Sequence, residues 1–316
     1  MIEGKVVLVL GAGSSHHLGF PLGWELKRDI VAMANGLSQL AIGTGLQRHP
    51  LFLEFVVAFN RSHLASIDDF LGKNPRYSEI GRMTIASVLM DYEARLVHRL
   101  RDANQESWYG FLWNQLAAGH SWDEMTFKNL SIVTFNYDRT LEAFLMEAIQ
   151  GSYGKTEKEA AVKLQELTML HAYGHLGSLI EGQPQFRAYG AGVTPEEVVR
   201  VSSWLKVIPE TREDAPTFKQ AQELLLKAKS ICFLGFGFDR LNLKRLDSHR
   251  TCGFSHEGQN GRRTVFSCLG ITHEQARAAQ ERCGIGYRGA QGNGYPEGFV
   301  VGDCHKTLTE TLILGR

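Results

Sequence analysis

The sequence predicts an α/β protein: a doubly wound, Rossmann-like parallel sheet carrying an inserted helical subdomain. Three observations lead there. Lys5 to Leu10, K-V-V-L-V-L, is an almost unbroken apolar run, the pattern of a central parallel strand buried on both faces. Short strand-like runs then alternate with helical periodicity along the chain. Several of those runs end in Gly, Asn or His, and in open parallel sheets ligands bind in the crevice beyond the carboxyl ends of the strands.

The first run passes straight into Gly11-Ala12-Gly13-Ser14-Ser15. Glycines there let the backbone turn tightly, and exposed amides with small hydroxyls can hold a diphosphate. The pattern departs from G-x-G-x-x-G, because position 16 is His, so a plain reductase-type dinucleotide fold fits poorly. A tight strand-to-helix turn with no ligand is the structural alternative. His16 to Gly23, with two glycines and a proline, reads as an ordered loop before a helix from about Trp24. The adjacent histidines read as surface or supporting residues, since no third metal ligand lies nearby. From Leu51 to about Ala118 apolar residues recur at three- and four-residue spacing, with Ser66 as an N-cap ahead of Asp68 and Asp69. Residues 45–125 therefore read as a helical insertion within a single domain spanning 1–316.

Ser131 to Asp138, S-I-V-T-F-N-Y-D, is a buried strand that emerges on Asn136 and Asp138, a polar pair at the sheet edge. That pair is a site candidate, or an Asx-type cap on the helix that follows. A further strand, Leu167 to Leu170, ends on His171. A histidine fixed at a strand end and open to a cleft suits a general base; it is equally a histidine satisfied at a strand terminus, and His175 is a second candidate. Ser202 to Ile208 reads as a short strand, and Ser230 to Gly235 as another that enters a second glycine turn, Gly235-Phe236-Gly237-Phe238-Asp239. Thr264 to Leu269 gives one more strand, followed by a helix capped by Thr272. Cys283 to Gly302 reads as an irregular excursion before a short terminal helix, so 245–316 completes the domain.

The composition is that of an ordinary globular chain, with 316 residues, 43% hydrophobic and 22% charged, and a net formal charge of zero. No field on that scale recruits nucleic acid or an acidic membrane. With no apolar run of membrane-spanning length and no leader at the N-terminus, a cytoplasmic location is the expectation. Five scattered cysteines, with no C-x-x-C pair, support neither a zinc site nor a disulfide framework.

Taken in order, G-A-G-S-S, T-F-N-Y-D at 134–138, H-A-Y-G-H-L-G at 171–177 and L-G-F-G-F-D at 234–239 resemble the sirtuin-like NAD-consuming domains of bacterial antiphage defence systems. G-F-P-L-G at 19–23, with Pro21 and Leu22, S-I-D-D-F-L, W-Y-G-F-L and V-F-S-C-L-G-I-T-H-E are similar to the same family, so the likeness covers nearly the whole chain. The resemblance implies NAD+ as substrate and no metal. It implies that Gly11, Ala12, Gly13, Ser14 and Ser15 line the diphosphate and adenosine side, with Pro21, Leu22 and Tyr137 beside the ligand. Asn136 would hold the nicotinamide ribose or the attacking water, Asp138 would orient the nicotinamide or the catalytic loop, and His171 would be the catalytic histidine. Gly235, Phe236 and Gly237 would touch ribose and adenine, with Asp239 and Asn242 behind them. Two departures, the missing pairs of zinc cysteines and H-A-Y-G in place of a plain H-G, point away from peptide deacetylation and toward hydrolysis of NAD+ itself. The resemblance thus implies an NAD+ glycohydrolase that depletes NAD in abortive infection, held in check by homo-oligomerisation or a regulatory partner protein. A sensor that binds NAD or ADP-ribose without turnover, and a protein deacylase or ADP-ribosyltransferase, are the alternatives.

Overall fold

Six parallel strands form one sheet in the order β3-β2-β1-β4-β5-β6 in the computed structural model. They are β1 Val6–Leu10, β2 Leu130–Thr134, β3 Thr168–His171, β4 Ser230–Leu234, β5 Arg263–Ser267 and β6 Phe299–Val300. The structure describes all residues except 1, 3, 37, 102–106, 208–214, 253–261, 285–295, 297 and 316. This is the doubly wound, Rossmann-like order, in which the chain winds outward from the centre in both directions.

Alternation along β1 explains why its run is apolar throughout. Val6, Leu8 and Leu10 face one layer, against helices Trp108–Ala117, Thr140–Tyr153 and Cys304–Thr311. Val7 and Val9 face the other, against helices Pro216–Lys227 and His273–Arg282. Both faces are dry, so period-two alternation of polar residues has no place in this strand. The helices Phe52–Arg61, Ile67–Lys73 and Ser78–Leu96, all between β1 and β2, build a third core. That core includes Tyr137, Ala172, Tyr173 and Leu176, which sets the helical block over the carboxyl edge of the sheet.

Local signals place several ends correctly. Ser66 accepts the Asp69 amide at 3.2 Å, and Thr272 forms a reciprocal capping pair with Gln275. The helix after β2 runs through Gly151 to Tyr153 and stops where Gly154 takes φ +61°.

Two elements differ from the sequence reading. Ser202 closes a helix, Pro195–Ser202, whose Thr194 cap and Pro195 start fix it locally, and the residues as far as Val207 form no strand. Position 208 and the Pro209-Glu210 end lie outside the described residues. Within the stretch read as irregular, Phe299 and Val300 pair with Phe266 and Ser267 as the edge strand β6. Two residues are too few to announce a strand by periodicity; the β5 edge recruits them. Among the described residues, no helix is long and apolar enough to cross a membrane.

Candidate functional site

The order of the strands reverses between β1 and β4, and both glycine turns leave the sheet there. The turns meet backbone to backbone. The Gly11 amide donates to the Leu234 carbonyl at 3.1 Å, and the Gly13 amide to the Gly235 carbonyl at 3.0 Å. A Cβ on Gly11 would lie 2.6 Å from the Gly235 oxygen, and one on Gly13 would lie 2.8 Å from the Gly235 Cα. On Gly235, at φ +57°, it would lie 2.1 Å from the Ser14 nitrogen. Close contact between the turns therefore demands glycine at all three positions. Gly237 is different: it is exposed, and a Cβ there meets nothing within 4 Å. Next to it, Phe238 holds φ +54°, a strained conformation for a bulky side chain, kept in place by packing on Phe233, Phe266 and Phe299.

The diphosphate reading needed exposed amides and hydroxyls on the first turn. The structure turns four of the five amides, those of Gly11, Gly13, Ser14 and Ser15, onto partners within the chain. The Ser14 amide donates to Gly11 and the Ser15 amide to Ala12, and both serine side chains are buried. Asn136 reaches across from the β2 end, its Nδ2 donating to the Gly11 carbonyl at 3.1 Å and to the hydroxyls of Ser14 at 3.2 Å and Ser15 at 3.3 Å. Its Oδ1 is the acceptor that the side chain keeps for other partners. The Ser15 hydroxyl donates to Asp138 at 3.0 Å, and Asp138 also accepts from the Thr140 amide at 3.2 Å and the Thr140 hydroxyl. Asp138 is thus both a brace for the glycine turn and the Asx-type cap that its position suggested. Burial, reinforced by Glu142 and opposed by bonds from Thr140 and Ser15, pushes its carboxyl up to about 7. Trp108 and His17 close the outside of this turn, both bonded to the Ser14 carbonyl.

His171, at the end of β3, looks elsewhere. Its Nδ1 lies 3.2 Å from the Asn136 backbone oxygen and its Nε2 lies 2.8 Å from Glu142 Oε1. Both ring nitrogens thus face acceptors, the arrangement of a doubly protonated imidazolium. Burial opposes that charge, but the Glu142 carboxylate prevails and holds the His171 pKa above its ordinary value. Burial also opposes ionisation of Glu142, and the His171 charge holds its pKa below the usual range. A cation with both protons donated is not a ready general base. His175, its ring centroid 4.9 Å from that of His171, is pushed by burial to about 4, and its Nδ1 accepts the Gly177 amide at 3.1 Å. It is therefore neutral with its proton on Nε2. These three side chains line a cavity of about 440 Å³ that includes neither Asn136 nor any residue of the first glycine turn. Asn136 and His171 are neighbours in the sheet whose side chains serve different places.

The remaining candidates are mostly structural. The Tyr137 hydroxyl lies 3.1 Å from both Asp68 and the Lys206 carbonyl and shares its single proton between them, which ties the helical block to the β2 end. Burial raises Asp68 to about 6. Asn242 accepts from the Tyr173 hydroxyl, which in turn accepts from Arg245 at 2.7 Å. Asp239 caps helix Arg240–Arg245, and Phe236 is buried against Phe135. Pro21 is buried, and the Leu22 amide donates to Glu25 where helix Gly23–Ala32 begins. Ala12, Gly237 and Asp239 stand exposed at the edge.

Sequence reasoning missed two sets of residues. Glu142 sits in the first turn of a helix, where an acid reads simply as dipole compensation. Glu93, Arg139 and Arg187 form a fully buried ion cluster, each Glu93–Arg distance being 2.7 Å. Arg139 also donates to the carbonyls of Gly177 and Arg187. No local pattern foretells a contact between positions so far apart. Among the described residues no group of three or more His, Cys, Asp or Glu is placed to hold a metal ion, and all five cysteines are free and buried. No family model matches the chain, and no curated protein matches it.

Proposed function

We propose that the protein is an NAD+ glycohydrolase that binds its substrate at the carboxyl edge of the sheet. The bond between the ribose C1′ and the pyridine nitrogen breaks and its electron pair leaves with nicotinamide. Water bonds to C1′, giving ADP-ribose, and its proton passes to solvent. The observation that carries this reading is the arrangement of four strand ends. Gly11–Ser15, Asn136–Asp138, His171–Gly177 and Gly235–Asp239 sit on β1, β2, β3 and β4, around the point where the strand order reverses. Asn136 is the side chain assigned to a ribose hydroxyl or the attacking water through Oδ1, with its Nδ2 anchored on the glycine turn. Asp138 is assigned to positioning. In the same reading the enzyme depletes NAD in antiviral defence and is restrained by self-association or a regulatory partner protein.

A second reading, binding of NAD or ADP-ribose without turnover, is favoured by the engagement of both His171 nitrogens. Incubation of the purified chain with NAD+, followed by chromatography of nicotinamide and ADP-ribose, separates the two. Hydrolysis that falls by about a hundredfold or more in Asn136→Ala supports the enzyme. Saturable NAD binding with no product at any protein concentration supports the sensor, and neither binding nor product removes both.

A further inference from the structure

The five buried cysteines are not equivalent. Cys252 ends helix Ser248–Cys252, and Cys283 closes helix His273–Arg282. These two helix ends touch. The Ser248 hydroxyl donates to the Arg282 carbonyl at 3.0 Å, and a Cβ on Gly284 would lie 2.7 Å from the His249 oxygen. Cys252 follows Ser248 by four residues and so lies on the same face of its short helix. Both cysteines are buried in the core layer that contains Phe233 and Phe266, and there the Cys283 thiol is hydrogen-bonded to the Cys252 sulfur.

That contact changes the chemistry of one thiol. The bond from Cys283 holds Cys252 below the ordinary thiol value, against burial and with help from the Thr251 hydroxyl and the Arg262 charge. Cys283, whose proton is engaged in the bond, is raised. Burial also pushes up Cys232, Cys268 and Cys304, the last two to about 11 and about 12. The thiolate is the nucleophilic form, so the pair joins an attacking sulfur to a second thiol placed to resolve its product.

We propose that Cys252 and Cys283 are a redox-active pair that hydrogen peroxide converts to an intramolecular disulfide, joining the ends of their two helices. The Cys252 thiolate attacks one peroxide oxygen; the O–O bond breaks, Cys252 becomes a sulfenic acid, and hydroxide leaves and takes up the proton Cys252 gave up. The Cys283 sulfur then attacks the Cys252 sulfur. The S–S bond forms, the S–O bond breaks, and the departing hydroxide takes the Cys283 proton as water. The two thiols lose two electrons, and both peroxide oxygens end as water. Burial of both sulfurs admits a water-sized oxidant and excludes a bulky one.

The site does not rest on the hydrolase reading. Its test is to treat the folded full chain with hydrogen peroxide or with glutathione disulfide, then map peptides without reduction. Peroxide should give a linked pair of peptides carrying Cys252 and Cys283, a mass lower by two hydrogens, and two fewer titratable thiols of the five in denaturant, all reversed by dithiothreitol. Glutathione disulfide should leave the pair reduced. The oxidised chain should unfold at higher urea, because the link closes a loop of about thirty residues in the unfolded state. In Cys283→Ser, Cys252 should stop at a sulfenic acid that dimedone traps, and Cys252→Ser should form no link. Five thiols surviving peroxide, a link between other cysteines or between chains, a link formed only in urea, or equal reaction with glutathione disulfide each overturns the proposal. Should a variant not fold, the peptide map of the native chain decides.

Discussion

The β1/β4 junction and the β2/β3 edge are built from similar sequence signals, a glycine turn and a polar strand end, yet they solve opposite problems. At the junction Gly11, Gly13 and Gly235 allow two backbones to touch, and the amides of Gly11, Gly13, Ser14 and Ser15 are bonded inside the chain. At the edge, side chains of different length hold the chain apart around a cavity of about 440 Å³. A glycine-rich turn thus signals close approach, but whether of a ligand or of a second turn is settled by what lies opposite. Arg139 belongs to both regions. It follows Asp138, and its guanidinium reaches the Gly177 carbonyl and the Glu93 carboxylate.

The largest effect is expected where the two regions share that anchor. Glu93→Ala leaves Arg139 buried without its counter-ion and Arg187 with only Glu197, at 3.4 Å, and should cost about 3–5 kcal/mol in urea denaturation. Its consequence should reach both the Asn136 turn and the His171 loop. Gly235→Ala acts on the junction alone, placing a methyl group against the Ser14 nitrogen in a left-handed conformation. About 3 kcal/mol is expected, and a stability within experimental error of the native chain would show that the turns part easily.

Dependence on pH distinguishes the regions by sign. Asp138, at the junction, has a folded pKa near 7, above the ordinary carboxyl value of 3.8, so the folded chain holds its proton longer than the unfolded one. Its contribution to stability is present at low pH and declines as pH rises from about 4 to about 7. His175, at the edge, has a folded pKa near 4, below 6.5, so its contribution is present above 6.5 and declines as pH falls toward 4. Stabilities of Asp138→Asn and His175→Phe relative to the native chain, measured from pH 4 to 7, should therefore drift in opposite directions. Parallel drift would remove the contrast. The smallest effect lies outside both regions: Thr272→Ala should cost about 1 kcal/mol through its lost cap and leave ligand binding alone.

Much of this was legible in the chain. The apolar runs at Val6, Ser131 and Ser230 and the serine and threonine caps each arise from burial pattern or interactions within a few residues, so local pattern sufficed. The polar strand ends were legible as positions, not as orientations. That Asn136 turns to Ser14 while His171 turns to Glu142 depends on which element packs beside each strand end, and neighbouring strands can send adjacent side chains to different faces. What the sequence by itself determined was the α/β alternation, the caps and the polar and glycine-bearing strand ends at the carboxyl edge, because these follow from local propensity and burial periodicity. Only the tertiary structure decided that the two glycine turns press on each other, that Glu142 pairs with His171, and that Glu93 binds two arginines. Those contacts join residues dozens of positions apart or more, and their energies come from close packing and buried charge that no short stretch of chain contains.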